Sequence, residues 1–283
     1  MTRRILLLLA ALLPVLASAE PADKTFDRIR SSKTIRLAYR TDAPPFSFEK
    51  EGQPAGYSVD LCKRVVASLE QQLKVASLKV KWVPADVRTR LNLVRKGEVD
   101  LECGTTTASL SRMGEVDFSN PIWVDVTGII SRKSVGARAL SDLAGKNIAA
   151  VEGTPNQQAL MDALRKGLVS ATVVPARSYE DAIALLEDGK ADAIAAGKTM
   201  LMGMGPKLKD PSIYELMDAD IGYVPYALVM PLGSTRLRQA VNRALSQIYA
   251  SDALVEVFRG TFGPTSKPAG ALMLMYQLNI YPE

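Results

Sequence analysis

Arg95-Lys96-Gly97-Glu98-Val99-Asp100 and Glu187-Asp188-Gly189-Lys190-Ala191-Asp192 are the two stretches whose reading decides the fold. Each places a helix-ending glycine just ahead of an apolar strand pattern. A second pair repeats in the same order. Lys33-Thr34-Ile35 opens a β-type run that leads to Pro44 and Pro45, and Lys146-Asn147-Ile148 opens one that leads to Gly153-Thr154-Pro155. A chain that repeats strand, helix, glycine and strand in both halves reads as α/β, in two similar lobes.

Working outward from these landmarks, the first half alternates regularly. Lys33 to Tyr39 reads as a strand, and Ser58 to Leu73 as a helix with Leu61, Val65, Val66, Leu69 and Leu73 on one face. Leu78 to Val83 reads as a strand, Thr89 to Lys96 as a helix and Val99 to Cys103 as a strand. Near the end, Ser234 is placed to cap a helix bearing Leu237, Val241, Leu245 and Ile248, and Asp252 to Phe258 gives another short helix. If the chain crosses between lobes near Val124 to Gly128 and returns near Val224 to Val229, these helices rejoin the first lobe. Residues 20–125 with 229–283 then form lobe 1, residues 126–228 form lobe 2, and two strands make the hinge. Ligands of open α/β sheets sit beyond the carboxyl ends of strands, which singles out Arg40, Thr105 and Glu152-Gly153. Two independent domains without a shared site are the alternative at this point.

The 283 residues are 47% hydrophobic and 23% charged, enough for a sizeable core in each lobe. Histidine is absent, so imidazole-based triads, zinc sites and pH switches are excluded. Arg3 and Arg4 precede an apolar run from Ile5 to Leu16 and then Ala17-Ser18-Ala19, the layout of a secretory signal peptide (residues 1–19) cleaved after Ala19. The expected product is an exported, soluble protein with no lipid anchor, because no cysteine stands at the cleavage site. It carries 33 basic residues against 30 acidic ones, too mild an excess to suggest nucleic acid. Cys62 and Cys103, 41 positions apart, are candidates for a disulfide in an oxidising compartment, with two buried thiols as the alternative.

Three arginines stand where a ligand could meet them. Arg40 ends the first strand and Arg90 starts the second helix. Arg112 follows the hydroxyl-rich loop Thr105-Thr106-Thr107-Ala108-Ser109-Leu110-Ser111, where a guanidinium forms a fork suited to a carboxylate. In the second half Thr154 caps a helix with Pro155 at its first position, and free N–H groups at such an end attract anions.

Four ordered motifs carry a family resemblance: Asp42-Ala43-Pro44-Pro45-Phe46-Ser47-Phe48, Gly56-Tyr57-Ser58-Val59-Asp60-Leu61, Val99-Asp100-Leu101-Glu102-Cys103-Gly104-Thr105-Thr106 and Val116-Asp117-Phe118-Ser119. Together they resemble the periplasmic solute-binding proteins of polar amino acid ABC importers, extracellular solute-binding family 3. The Glu-Cys-Gly-Thr-Thr segment is most similar to the glutamate/aspartate branch. The resemblance, from about Lys33 to Pro264, implies a type II periplasmic binding fold with two α/β lobes on a two-strand hinge. It also implies a small anionic solute held in the cleft and delivery to a membrane permease.

By position, Arg112 matches the arginine that takes the ligand α-carboxylate, with Thr105 and Thr107 beside it. Arg40 and Arg90 match arginines used by the acidic branch for the side-chain carboxylate. Thr154 matches the second-lobe helix-start contact, with Gly153 a candidate beside it, and Tyr179 falls where that branch commonly has histidine. Ala43 and Val87 replace the stacking aromatics of basic-amino-acid relatives, which argues against a lysine- or arginine-type ligand.

One position departs from the pattern. Gly197, followed by Lys198, stands where the family has an aspartate for the ligand ammonium. Either Glu152 substitutes for it or the ligand lacks an amino group, so with Lys198 added to the arginines a di- or tricarboxylate rivals glutamate. No cofactor and no metal are expected, and a monomer is. A periplasmic dehydratase using Lys198 and Glu152 as acid and base, and a partner of a membrane receptor in place of a permease, are the other readings.

Overall fold

The computed structural model describes residues 23–268 and 270–282, so the candidate signal segment lies outside the described residues. The chain begins with helix α1 (Lys24–Ser32), strand β1 (Thr34–Arg40), a small sheet of β2 (Asp42–Ala43), β3 (Ser47–Lys50) and β4 (Gln53–Ala55), and helix α2 (Tyr57–Leu73). It continues through β5 (Lys79–Ala85), α3 (Arg90–Arg95), β6 (Leu101–Cys103), α4 (Leu110–Met113) and the long β7 (Val116–Arg132). The second half adds β8 (Asn147–Val151), α5 (Pro155–Lys166), β9 (Thr172–Ala176), α6 (Tyr179–Glu187), β10 (Ala193–Gly197), α7 (Lys198–Met204) and β11 (Tyr214–Leu216). The return strand β12 (Gly222–Pro231) leads to α8 (Thr235–Tyr249), α9 (Asp252–Phe262) and α10 (Gly270–Leu278).

The repeat seen in the sequence is one structural device used twice. Gly97 and Gly189 both adopt left-handed backbone, at φ 63° and 72°, and turn the chain out of α3 and α6. Each following aspartate then clasps a neighbouring strand with two hydrogen bonds. Asp100 donates its N–H to the Arg36 carbonyl at 2.8 Å and accepts from the Arg36 N–H at 2.8 Å. Asp192 does the same with Asn147, at 2.7 and 2.8 Å. The clasps fix β6 parallel to β1 and β10 parallel to β8. Asp100 is fully buried and also paired with Arg28 and Arg36, while its counterpart has no such ion pair among the described residues.

Hydrogen-bonded strands follow the order β5-β1-β6-β12-β7-β10-β8-β9, with β11 on β7. Two α/β lobes result, and β7 and β12 belong to both. Their antiparallel ladder runs from Val116↔Pro231 to Thr127↔Gly222, slipping register around Ala227. Beyond it β7 pairs with β10 and β11.

Helix α2 buries Leu61, Cys62, Val65, Val66, Leu69 and Leu73, the face read from its periodicity, and packs on α8 and α9. Cys62 is disulfide-bonded to Cys103 at the end of β6, with Cα atoms 6.2 Å apart. The α8 face is also as expected, but its cap is not. Ser234 bonds Thr25 Oγ1, and the Leu237 N–H that it would have capped donates instead to Asp23 Oδ2 at 3.0 Å. Asp23 also caps its own helix through the Phe26 N–H, so one carboxylate stitches α1 to α8.

Candidate functional site

The strand ends and helix starts of the two lobes converge on a cleft closed down to about 10 Å³ of free space. That is room for no more than about a single water. Arg40, Val87, Arg90, Thr105 and Thr107 line it from the first lobe, and Thr154, Asn156 and Tyr179 from the second. A wider mouth shares Thr107 and Thr154 with the cavity and adds Arg112 and Gly153. Eight of the nine sequence-derived site residues are thus brought together, two guanidinium groups inside and one at the entrance.

Arg40 is 1% exposed. Its Nε donates to Asp42 Oδ1 at 2.7 Å, its guanidinium lies 5.9 Å from the Tyr179 ring centre, and its Nη2 has no hydrogen-bond partner within the protein. Burial acts to lower its pKa, but the Asp42 carboxylate and the nearby Tyr179 and Glu102 leave it raised. Arg90, 3% exposed, begins α3 and donates from Nε to Thr106 Oγ1 at 2.7 Å. Burial, followed by repulsion from Arg40, pushes its pKa down to about 10, so it stays charged at neutral pH. Arg112 donates to the Thr107 carbonyl at 3.0 Å and, across the cleft, to the Gly153 carbonyl at 3.4 Å. Burial lowers its pKa, opposed by Glu102.

The second lobe contributes neutral groups. Thr154 caps α5 as expected, accepting from the Gln157 N–H at 3.2 Å and donating to the Val151 carbonyl at 2.7 Å. Asn156 accepts from Thr127 Oγ1 at 2.7 Å. The Tyr179 phenol is pushed up by burial, against the pull of Arg40 and Arg90.

Lys198 does not join this group. Its ammonium pairs with Asp220 and it lines neither cavity nor mouth. Glu152 is exposed on the surface, so the acid and base imagined for a dehydratase are not assembled with the arginines.

Three residues escaped the sequence reading. Glu102 has 0% exposure, and apart from the nearby Thr106, which favours its charged form, neither carboxylate oxygen has a well-formed hydrogen bond. Burial raises its pKa, with Arg90 and Arg40 working the other way. Its place in the Glu-Cys-Gly-Thr-Thr motif could have flagged it, as could Asn156 directly after Thr154-Pro155. Asp125, 3% exposed on β7 and accepting from the Thr199 N–H and the Tyr226 hydroxyl, had only its place in the expected hinge stretch.

The residues that line this cleft fall inside a longer match. Residues 35–264 fit the model of the bacterial extracellular solute-binding proteins, family 3. The chain belongs to this family. Among relatives of this solute-binding protein, the L-glutamate/L-aspartate-binding protein of Pseudomonas aeruginosa is 30% identical over 267 residues, spanning 93% of this chain and 88% of that one. The glutamate/aspartate import solute-binding protein of Escherichia coli is 25% identical, spanning 83% and 78%. An ABC uptake transporter substrate binding protein from Streptococcus pneumoniae with bound histidine has a TM-score of 0.73 at 21% identity, covering 84% of this chain and 96% of that one. That likeness establishes the type II periplasmic binding fold and leaves the ligand of this solute-binding protein to its own residues. Among the described residues no helix is long and apolar enough to cross a membrane, and no group of acidic or cysteine side chains is placed to hold a metal ion.

Proposed function

We propose that this protein is the periplasmic binding component of an ABC importer and captures an acidic amino acid, glutamate or aspartate, between its lobes. The observation that carries the proposal is the meeting of Arg40 and Arg90, both almost fully buried, in one small cavity with Arg112 at its mouth. Buried guanidinium groups without enough carboxylates around them favour an anionic ligand, and planar forks favour carboxylates. In this reading Arg112 takes the α-carboxylate with the Thr105 and Thr107 hydroxyls, and Arg40 and Arg90 take the side-chain carboxylate. Gly153, Thr154 and Tyr179 complete the enclosure from the second lobe, while Lys198 serves the surface. Val87 on the cavity wall offers no aromatic face to a long cationic side chain.

Binding is coupled to closure, because contacts divided between two lobes are complete only when the lobes meet. The hinge is proposed at 125/126 and 228/229, within β7 and β12. The protein performs no chemistry: it acts as an exported monomer, with residues 1–19 removed after Ala19, and presents its closed form to a permease. Calorimetry on the mature protein tests the reading. Glutamate or aspartate is expected to bind with one-to-one stoichiometry, and lysine, arginine and uncharged amino acids far more weakly. Preference for a basic or neutral amino acid refutes it.

A further inference from the structure

The two lobes also meet outside the cleft. Helix α7 of the second lobe sets Gly203 against Pro44 and Pro45, the turn that joins β2 to β3 in the first lobe. A Cβ on Gly203 would stand 2.5 Å from the Pro44 carbonyl oxygen, 2.7 Å from the Pro44 carbonyl carbon and 2.7 Å from Pro45 Cδ. An ordinary van der Waals separation is about 3.5 Å, so only a residue without a side chain fits while the lobes are in contact. Gly203 lines neither the cavity nor its mouth, but shares a separate groove with Pro44 and Pro45. Glycine disfavours a helix interior relative to alanine, so the close approach explains it where the needs of α7 do not.

Neither side of this contact is free to yield. The Pro45 and Phe46 carbonyls accept from the Tyr57 and Ser58 N–H groups at 3.1 and 2.8 Å, which holds the turn on the start of α2. The Phe46 N–H donates to the Ala43 carbonyl at 3.0 Å, and the two proline rings fix their own φ. On the other side, the Thr199 N–H and hydroxyl donate to Asp125 Oδ1 at 3.2 and 3.0 Å, which holds the start of α7 on β7. Met200, Leu201 and Met204 of the same helix are buried. A methyl group at position 203 is therefore relieved by moving one lobe against the other, by about 1 Å. The cleft has no slack to absorb that movement, since the Arg112 hydrogen bond to the Gly153 carbonyl already spans 3.4 Å.

We propose that Gly203 is a positioning residue for binding: it lets α7 seat on the Pro44–Pro45 turn, and that seat completes the closed state in which the solute is held. The residue touches no ligand and acts only through closure. The inference rests on the reading of binding by closure and is independent of the charge of the solute.

The test compares wild type with Gly203→Ala and with Gly205→Ala, by thermal melts without ligand and by calorimetry and stopped-flow fluorescence with glutamate. Gly205 is the control, because a Cβ there would meet no atom within 4 Å among the described residues. Gly203→Ala is expected to melt no lower than wild type when free of ligand, since alanine favours the helix, and to bind glutamate about tenfold or more weakly. The loss is expected in a faster off-rate, with the on-rate within about threefold of wild type. Gly205→Ala is expected to bind within about twofold of wild type. A merely structural role would lower stability and affinity together, whereas closure control lowers affinity alone. Wild-type affinity in Gly203→Ala overturns the proposal, as does an affinity loss that comes with a lower ligand-free melting temperature or that Gly205→Ala reproduces. If glutamate does not bind wild type, the acidic-solute reading falls, and the same comparison is made with the common amino acid that most raises the wild-type melting temperature. If none raises it, both readings fall.

Discussion

The two sides of the cleft are built from different chemistry. The first lobe brings three guanidinium groups, from Arg40, Arg90 and Arg112, with Asp42 and Glu102 beside them. The second brings Thr154, Asn156 and Tyr179, all neutral. On the acidic-solute proposal a carboxylate is held mainly by the first lobe, where each charge-assisted hydrogen bond contributes about 1.5–3 kcal/mol. The second lobe adds neutral hydrogen bonds of about 0.5–1.5 kcal/mol each, enough to favour closure and weak enough to let it reverse. Asymmetry of this kind separates affinity from release.

The largest test of the asymmetry concerns its covalent support. The Cys62–Cys103 bond ties α2 to β6 immediately before the threonine loop, and the second lobe has no counterpart among the described residues. Replacing both cysteines by serine is expected to cost about 4 kcal/mol of stability on the loop-entropy model, measured by denaturant titration. A loss below about 1 kcal/mol would mean that the charged side is held by packing alone.

Next in size is Arg112→Ala. Among the described residues its side chain bonds only the Thr107 and Gly153 carbonyls, so the melting temperature should change little while affinity for the acidic ligand falls about a hundredfold or more. Unchanged affinity by calorimetry would break the division of labour. Thr154→Val probes the opposite side and should cost less: under about tenfold in affinity, and about 1 kcal/mol of stability from the lost helix cap. A larger affinity loss for Thr154→Val than for Arg112→Ala would reverse the comparison.

The smallest expected effect sharpens the role of Glu102. Its pKa is raised in the folded protein, by burial first, so the folded state holds this proton more tightly than the unfolded chain does. The stabilisation it contributes is full below the ordinary glutamate range, near 4.5, and is lost as pH rises through the raised value. Glu102→Gln removes that dependence. Its melting temperature relative to wild type should become more favourable from pH 4 to pH 7 in thermal scans, and a flat difference would show that the arginines fully compensate the charge.

Legibility in the sequence followed the range of the interactions. Gly97 and Gly189 were readable as helix exits because that signal is local and repeats, whereas the clasps that Asp100 and Asp192 make, 64 and 45 positions away, were not. Thr154 was readable as a cap because its donor, the Gln157 N–H, lies three residues on. Ser234 followed the same local rule and did not cap, because Asp23 reached its N–H group from the far end of the chain. Likewise α7 begins after Gly197, which has no side chain to offer, and Asp125 supplies the bond to the Thr199 N–H. Lys198 looked like a cleft residue by its neighbours in sequence, yet Asp220 holds it elsewhere.

The amino-acid sequence by itself determined the alternation of strands and helices, the two-lobed repeat, the family and the set of arginines, since these depend on periodicity and short motifs. Tertiary structure alone decided which charges are paired and that Glu102 and Asp125 are buried. The physical reason is that the electrostatic energy of a side chain depends on its depth from water and on partners up to 100 or more residues away, as with Tyr226 and Asp125, 101 positions apart.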